Sequence, residues 1–247
     1  MNAILITVRT GSTRLPKKAL IKINGKHTIE YLIDRVKQSK LANKIILCTT
    51  KLVEDDVLCD IALKNNINFY RGSTTDKLER WKEACEMFNI SFFVTADGDD
   101  LFCEPKLIDL AFKQSNNNVD YIKSDDIICG AFTYGIKYNA LKKVCDIKNT
   151  TDTEMMWTYF EDTNLFNIEQ LKNVPIEYKR SDIRMTLDYD DDLKFFSNII
   201  NYFNKQKFGL SEIINYIDQN PKIAKINLYL EEQWANNQKE KTTLKLK

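Results

Sequence analysis

The sequence predicts an α/β protein built on a mainly parallel sheet. Three observations predict it. Short apolar runs at residues 3–8, 44–49 and 91–96 read as buried strands. Segments with helical spacing of apolar residues follow these runs in turn, and a repeated strand–helix order favours parallel strands joined by crossover helices. The 247 residues, 43% of them hydrophobic, are enough to bury the core of one large α/β domain or two small ones.

The elements follow in order. Residues 3–8 form the first strand. Residues 27–38 carry apolar side chains at Ile29, Leu32, Ile33 and Val36, the spacing of a helix face. Residues 44–49 (KIILCT) form a second buried strand. Residues 55–64 are helical, with Asp55 and Asp56 in the first turn, where the helix dipole favours acids. Residues 67–70 are a short strand. Residues 75–88 form a helix capped by Thr75 or Asp76. Residues 91–96 (SFFVTA) are a further buried strand, and residues 105–114 form a helix with Pro105 at its first position.

Beyond residue 115 the pattern loosens. Residues 119–123 and 132–136 look like strands, and 141–144 and 154–160 look helical. A strand-like stretch at 179–187 leads into Asp188. A strong helix spans 190–203 and a shorter one 211–219. No Pro/Gly/Ser-rich linker divides the chain. The expectation is a single domain over residues 1–235, with an inserted or appended subregion, followed by a polar, frayed tail at 236–247.

Composition excludes several classes. The net charge of +1 gives no field for nucleic acid or another polyanion, so any anion must bind locally. Six cysteines include no C-x-x-C pair, and His27 is the one histidine, so a zinc site is not expected. His27 reads as a turn residue before a helix. The thiols read as small core residues in a reducing cytosol, and the expected location is cytoplasmic. Residues 3–8 are too short for a signal h-region, and no apolar run approaches the roughly 20 residues of a membrane span.

Four segments could carry chemistry. The first is Arg9-Thr10-Gly11-Ser12-Thr13-Arg14-Leu15-Pro16-Lys17-Lys18, directly after the first strand. Backbone N–H groups and cations of such a loop can surround a polyphosphate, and its place after a buried strand fits ligand binding at the carboxyl ends of parallel strands. A solvated basic loop is the plain alternative. The spacing is not that of a Walker A loop. The second is Ala96-Asp97-Gly98-Asp99-Asp100, which reads as a hard-oxygen site for Mg2+ or as an acidic turn. The third is Arg184 to Asp192. Here Asp190–Asp192 are explained by capping and the helix dipole, while Asp188 could share a cation with an aspartate from another strand end. The fourth is Tyr70 to Leu78, whose Gly, hydroxyls and Arg suit a base or ribose contact or a plain capped turn.

Together and in this order, these pieces resemble the cytidylyltransferase family that makes CMP-activated acidic sugars, which includes 3-deoxy-manno-octulosonate and acylneuraminate cytidylyltransferases. The spore-coat polysaccharide branch is the most similar. The resemblance covers residues 3–230. Arg9, Gly11, Ser12, Arg14, Leu15, Pro16 and Lys18 match R-x-G-S-x-R-L-P-x-K; Thr49, Thr50, Asp55 and Asp56 match a T-T/S and D-D pair. Arg71-Gly72-Ser73, Asp76, Leu78 and Arg80 match R-G-S-x-x-D-x-L-x-R; Gly98-Asp99 and Pro105 match G-D and a following P. Arg184, Thr186, Asp188, Asp192 and Leu193 match R-x-T-x-D-x-x-x-D-L.

The resemblance implies a Rossmann-like nucleotidyltransferase three-layer sandwich. It implies that Arg9, Gly11, Ser12, Arg14 and Lys18 bind the CTP triphosphate. Arg71, Ser73 and Asp76 would line the base and ribose pocket, and Asp99 and Asp188 would hold Mg2+. Arg9, Lys18 and Asp99 would be catalytic. The implied partners are CTP and an acidic sugar (a nonulosonic or ulosonic acid), with pyrophosphate released and surface polysaccharide or glycan as the destination; a homodimer is also implied. The chain departs from the pattern at Lys17, where the family usually has Gly, and at Leu101, where Pro is common. It also departs at 125–135 and 150–157, which lack the usual substrate-side residues, including an E-H pair near Glu154.

A phosphorylated small molecule is an alternative acceptor. Arg180 and Arg184 could meet an acceptor carboxylate or serve the surface. A nucleotide-sugar glycosyltransferase would not need a triphosphate cradle. A non-catalytic nucleotide-binding regulator would not need Asp99 and Asp188 beside Arg9 and Lys18.

Overall fold

The computed structural model describes residues 1–116, 118–204, 206–241 and 244–247. Its main sheet has seven strands: β1 (Asn2–Thr7), β4 (Lys44–Thr50), β5 (Asn68–Gly72), β6 (Phe92–Asp97), β7 (Tyr121–Lys123), β8 (Gly135–Lys137) and β9 (Ile168–Gln170). Their order across the sheet is β5-β4-β1-β6-β8-β7-β9. Strands β5, β4, β1 and β6 are parallel neighbours. β8 runs antiparallel to both β6 and β7, and β9 is parallel to β7. A small hairpin of β2 (Lys22–Ile23) and β3 (Lys26–His27) lies apart. Its turn is Asn24-Gly25, with φ of 50° and 78°, the Asn-Gly geometry that matches the twist of a tight hairpin.

Helices cover both faces. α1 (Thr28–Val36), α2 (Asp56–Lys64), α4 (Pro105–Gln114), α7 (Asp190–Phe203) and α8 (Leu210–Gln219) pack on one side against Ile4, Ile6, Leu47, Phe92 and Val94. α3 (Lys77–Phe88), α5 (Tyr138–Ile147) and α6 (Thr158–Glu161) pack on the other against Ala3, Leu5, Ile46, Cys48 and Phe93. Consecutive residues of a strand therefore enter opposite cores, as a two-residue period requires. This is why the central strands read as continuous apolar runs rather than alternating ones. The result is a three-layer sandwich with a mostly parallel central sheet.

Several elements depart from expectation. Residues 179–187 form no strand; they run as a loop, exposed at its start and buried over 183–187, with one bridge, Cys129 to Arg184. The strand expected at 132–136 is Gly135–Lys137, and the helix expected at 154–160 is only Thr158–Glu161. Residues 153 and 154 are turned toward other partners, described below. The region expected to fray from residue 236 instead continues α9 (Leu230–Lys241). Residues 242 and 243 of that expected tail lie outside the described residues. Beyond them Asn149 N–H donates to the Lys245 carbonyl at 2.8 Å and Leu246 bridges Lys148, so the chain end is tied down. Among the described residues, no helix is long and apolar enough to cross a membrane.

Candidate active site

β1 sits between β4, which follows it in the main sheet, and β6, which the chain reaches two strands later. The strand order reverses there, and such a switch point opens a crevice beyond the carboxyl ends of the two strands. The register pairs Thr7 of β1 with Asp97 of β6. Residues 8–18 leave from one strand and residues 98–104 from the other, so the basic loop and the acidic turn face each other by construction. Gly98 makes the approach possible. Its N–H donates to the Thr7 carbonyl at 2.8 Å, and a Cβ there would stand 2.7 Å from Val8 Cβ. Any side chain would force the acidic turn away from β1.

The basic loop is anchored on Asp55. Both the N–H and the hydroxyl of Thr10 donate to Asp55 Oδ1 at 2.7 Å, and the Thr50 hydroxyl donates to the other oxygen. Burial alone would raise the Asp55 pKa, but these donors outweigh it and hold the carboxyl below its ordinary value. The T-T and D-D positions thus shape the loop from beneath, a role the sequence did not assign to Asp55. Gly11 is exposed, and a Cβ on it would meet nothing within 4 Å, so the loop's crest is open. The Ser12 N–H donates to the Thr10 carbonyl at 2.9 Å, tightening the turn next to that crest.

Past the crest, two cations turn inward. Arg14 Nη2 donates to Asp188 Oδ1 at 2.6 Å. Lys18 Nζ donates to Asp99 Oδ2 at 2.6 Å and to Asp188 Oδ1 at 2.7 Å. The structure therefore brings together Arg14, Lys18, Asp99 and Asp188, residues separated by up to 174 positions. Asp188 is positioned by the 184–192 segment. Leu187 N–H donates to the Asp99 carbonyl at 2.9 Å, which fastens that segment to the acidic turn. Asp192 Oδ2 accepts from the N–H groups of Asp188 and Tyr189 at 2.8 and 2.9 Å, while the Arg184 Nε donates to Asp192 Oδ1 at 3.0 Å. The Tyr189 ring lies under the Arg14 guanidinium, 5.6 Å from its centroid.

Arg184 is thereby settled. It is fully buried, paired with Asp192 and with Glu231 at 2.7 Å, and is unavailable to an acceptor carboxylate. Arg180 pairs with Asp182 and Asp218 at the surface.

Charge in the crevice is tightly balanced. Burial raises the Asp99 pKa; Lys18 opposes the shift and the neighbouring Asp188 adds to it, leaving the carboxyl above its ordinary value. Burial also works against the Asp188 carboxylate, but Lys18 and Arg14 together bring its pKa below normal. The Lys18 amine is held protonated well beyond neutral pH, because the two carboxylates outweigh its burial. Asp100, buried behind them, is pushed well above the carboxylate range by burial and by Asp99 and Asp97.

The other expected site residues lie along the crevice wall. Arg9 donates to the Thr74 carbonyl at 3.3 Å and pairs with Glu154 at 3.0 Å, linking the basic loop to the segment before α6. Arg71 braces the end of β4, donating to the Thr50 and Leu52 carbonyls at 3.0 and 2.9 Å and pairing with Asp56 at 2.6 Å. The Ser73 hydroxyl accepts from the Asp76 N–H at 3.1 Å. Asp76 caps α3, accepts from the Thr153 hydroxyl at 2.8 Å and pairs with Lys148. Arg71, Ser73 and Asp76 are not brought to Asp99; they hold the turn between β5 and α3. One further cation enters from that turn. Lys77 pairs with Asp97 at 3.0 Å and stands 4.9 Å above the Trp81 ring, and the sequence offered only its place beside Asp76 as a signal.

Asp99 and Asp188 face each other across the Lys18 ammonium, with Arg184 Nη2 3.8 Å behind Asp188 Oδ2. They offer oxygen donors only, they already share one positive charge, and Asp188 Oδ2 is buried with no hydrogen-bond partner. Mg2+ typically takes one or two carboxylates and leaves its other positions to phosphate and water.

A family model for cytidylyltransferases matches residues 3–233. An uncharacterised protein of Methanocaldococcus jannaschii is 33% identical over 227 residues, covering 90% of this chain and 93% of its own. The spore coat polysaccharide biosynthesis protein SpsF of Bacillus subtilis is 26% identical over 237 residues, covering 91% and 98%. The solved structure of a cytidylyltransferase from Leptospira borgpetersenii superposes with a TM-score of 0.82 at 25% identity, over 90% of this chain and 96% of that one. With a basic loop and an acidic pair meeting at the sheet's switch point, the chain belongs to the cytidylyltransferase family, whose chemistry is nucleotidyl transfer from CTP.

Proposed function

We propose that this protein transfers CMP from CTP to a hydroxyl of an acidic sugar, for the synthesis of a surface polysaccharide. The observation that carries the reading is the meeting of Arg14 and Lys18 with Asp99 and Asp188 in one crevice. The acceptor class is supported by the run of family motifs and by the likeness to a spore coat polysaccharide protein over 91% of the chain.

The acceptor hydroxyl gives up its proton to solvent as its oxygen bonds to the α-phosphorus, the bond from that phosphorus to the β-phosphate oxygen breaks, and pyrophosphate leaves with the electron pair. Negative charge accumulates on the leaving group, so fixed cations aimed at it lower the barrier. Lys18 and Arg14 supply that charge from the loop's inner side, and Arg9 from its outer side. Gly11 and Ser12 leave room at the crest for phosphate oxygens. Asp99 and Asp188 would hold Mg2+, which when bound supplies Lewis acidity and neutralises phosphate charge. Asp192 and Arg184 keep Asp188 in place. The wall built from Arg71, Ser73 and Asp76 would support the base and ribose.

Lys18→Ala and Asp99→Asn each remove one preorganised contact, typically worth roughly 3 kcal/mol of barrier or about a hundredfold in rate. Pyrophosphate release from CTP, measured with sialic-like, octulosonic and phosphorylated acceptors, is expected to fall at least that far in either folded variant. Wild-type turnover in both would remove the assignment. Release with a phosphorylated acceptor alone would replace the acidic sugar.

A further inference from the structure

The crevice commits its groups in an unexpected way. Lys18, needed by the triphosphate, lies between the two carboxylates needed by the metal, at 2.6 and 2.7 Å. Arg14 occupies the same Asp188 oxygen at 2.6 Å. The Lys18 side chain is only 16% exposed and that of Asp188 1%, so this is not a loose surface pair. We propose that Lys18 is a placeholder for the divalent cation: it fills the Asp99–Asp188 gap in the free protein and yields it only when a triphosphate draws its ammonium away. The inference rests on the CTP and Mg2+ reading above.

Two carboxylates held together out of bulk water repel and need a cation between them. Lys18 supplies it when nothing is bound. An ammonium and a divalent ion cannot share that gap, because like charges a few ångströms apart in a poorly hydrated site repel strongly. A metal arriving alone must therefore expel a buried ammonium whose acceptors are these two carboxylates, and it brings no other acceptor. A triphosphate provides one. As Lys18 and Arg14 swing to the phosphates, Asp99 loses its counter-charge and Asp188 keeps only Arg184, whose Nη2 lies 3.8 Å from Oδ2, an oxygen with no hydrogen bond to surrender to an incoming ion. Nucleotide and metal then bind with positive coupling. By linkage each raises the other's affinity by the same factor. Metal alone leaves the free protein in its self-paired state.

The test uses Mn2+ as the probe and the full chain, in wild type, Lys18→Met and Lys18→Met/Asp99→Asn. Met keeps most of the side chain's length and removes its charge. Free Mn2+ is read by its electron paramagnetic resonance signal, without nucleotide. Lys18→Met is expected to bind Mn2+ at least roughly tenfold more tightly than wild type, within the usual range of coupling between sites. The double variant is expected to lose that gain. Mn2+ is also expected to raise the melting temperature of Lys18→Met and leave that of wild type unchanged. Lys18→Gln serves if Lys18→Met does not fold. Equal Mn2+ affinity in wild type and the uncharged variant overturns the placeholder. CTP affinity of wild type, measured by calorimetry with Mg2+ and with EDTA, tests the underlying reading separately. No difference there removes the metal and the placeholder together, whereas a clear difference alongside equal Mn2+ affinities removes the placeholder alone.

Discussion

Lys17 holds φ at 53°, in the left-handed region. The other non-glycine residues with positive φ among those described are Asn24, Asn66, Asn89, Asn164, Asn173 and Asn204, and Asn tolerates that region through its short polar side chain. A lysine there costs about 1–2 kcal/mol of backbone strain. The conformation has a purpose: it turns the chain between Pro16 and the short helical turn Lys18–Leu20, so that Lys18 points back to Asp99. A Gly, the residue the motif resemblance leads one to expect at this position, would adopt the same φ without a Cβ clash. Lys17→Gly is expected to raise stability by about 1 kcal/mol, or roughly 2–4 °C in melting temperature for a chain of this size. A calorimetric melt checks it, and an unchanged or lower midpoint would show that the strain is relieved elsewhere. Other single residues were legible to different degrees. Arg14, Lys18, Asp99 and Asp188 stood out because each ends or follows a buried run. Arg184 did not, because its partners Asp192 and Glu231 lie 8 and 47 positions away and nothing local distinguishes a buried guanidinium from a surface one.

The elements that carry the site differ in how they are held. β1, β4 and β6 were legible because central parallel strands are buried on both faces and their sequences are correspondingly apolar. β9, three residues at the sheet edge, and the two-residue strands β2 and β3 have no such signal. The 179–187 stretch looked like a strand, and its second half is buried as a strand's would be, yet the backbone there is held by the Asp99 carbonyl and by Asp192 rather than by a ladder. Asp192 is the key to that arrangement. It caps the start of α7, tethers the N–H of Asp188 and pairs with Arg184 in full burial. Removing one member of a buried pair leaves the other uncompensated and typically costs about 3–5 kcal/mol. Asp192→Ala is therefore expected to lower stability by about that amount in urea unfolding and to release Asp188 from Lys18, with CMP transfer falling even at temperatures where the variant is folded. A stability close to wild type would mean that Glu231 alone satisfies Arg184.

At the scale of the molecule, the two ends of the crevice are joined through the carboxyl-terminal residues. α9 supplies Glu231 to Arg184, sets the Trp234 ring 5.4 Å from the same guanidinium, and lets Asn237 donate to the Tyr189 hydroxyl at 3.2 Å. Tyr189 in turn supports Arg14. A few residues later the chain reaches the far wall: Asn149 N–H donates to the Lys245 carbonyl and Lys247 N–H to the Ile147 carbonyl, at 2.8 and 2.9 Å, beside Lys148 and its partner Asp76. Polarity alone made residues 236–247 read as a tail, because the helix's apolar anchors, Leu230 and Trp234, come before that run and its own leucines, Leu244 and Leu246, come only at its end. Two truncations separate its roles. Ending the chain at Tyr229 strips a charged partner from Arg184 and uncovers buried Leu230's contacts; a charged hydrogen bond and one buried aliphatic side chain are each worth about 2 kcal/mol, so a loss of about 4 kcal/mol is expected. The Arg14–Asp188 side of the crevice loosens, and the KM for CTP is expected to rise. Ending it at Lys241 leaves Arg184 and Tyr189 intact and frees only the Lys148–Asp76 wall, so a smaller stability loss is expected, with Arg14 and Lys18 undisturbed. Denaturant unfolding and CTP titrations on the two truncated proteins check the division, and equal effects from both would show that the carboxyl-terminal segment acts on the crevice only through the residues beyond Lys241.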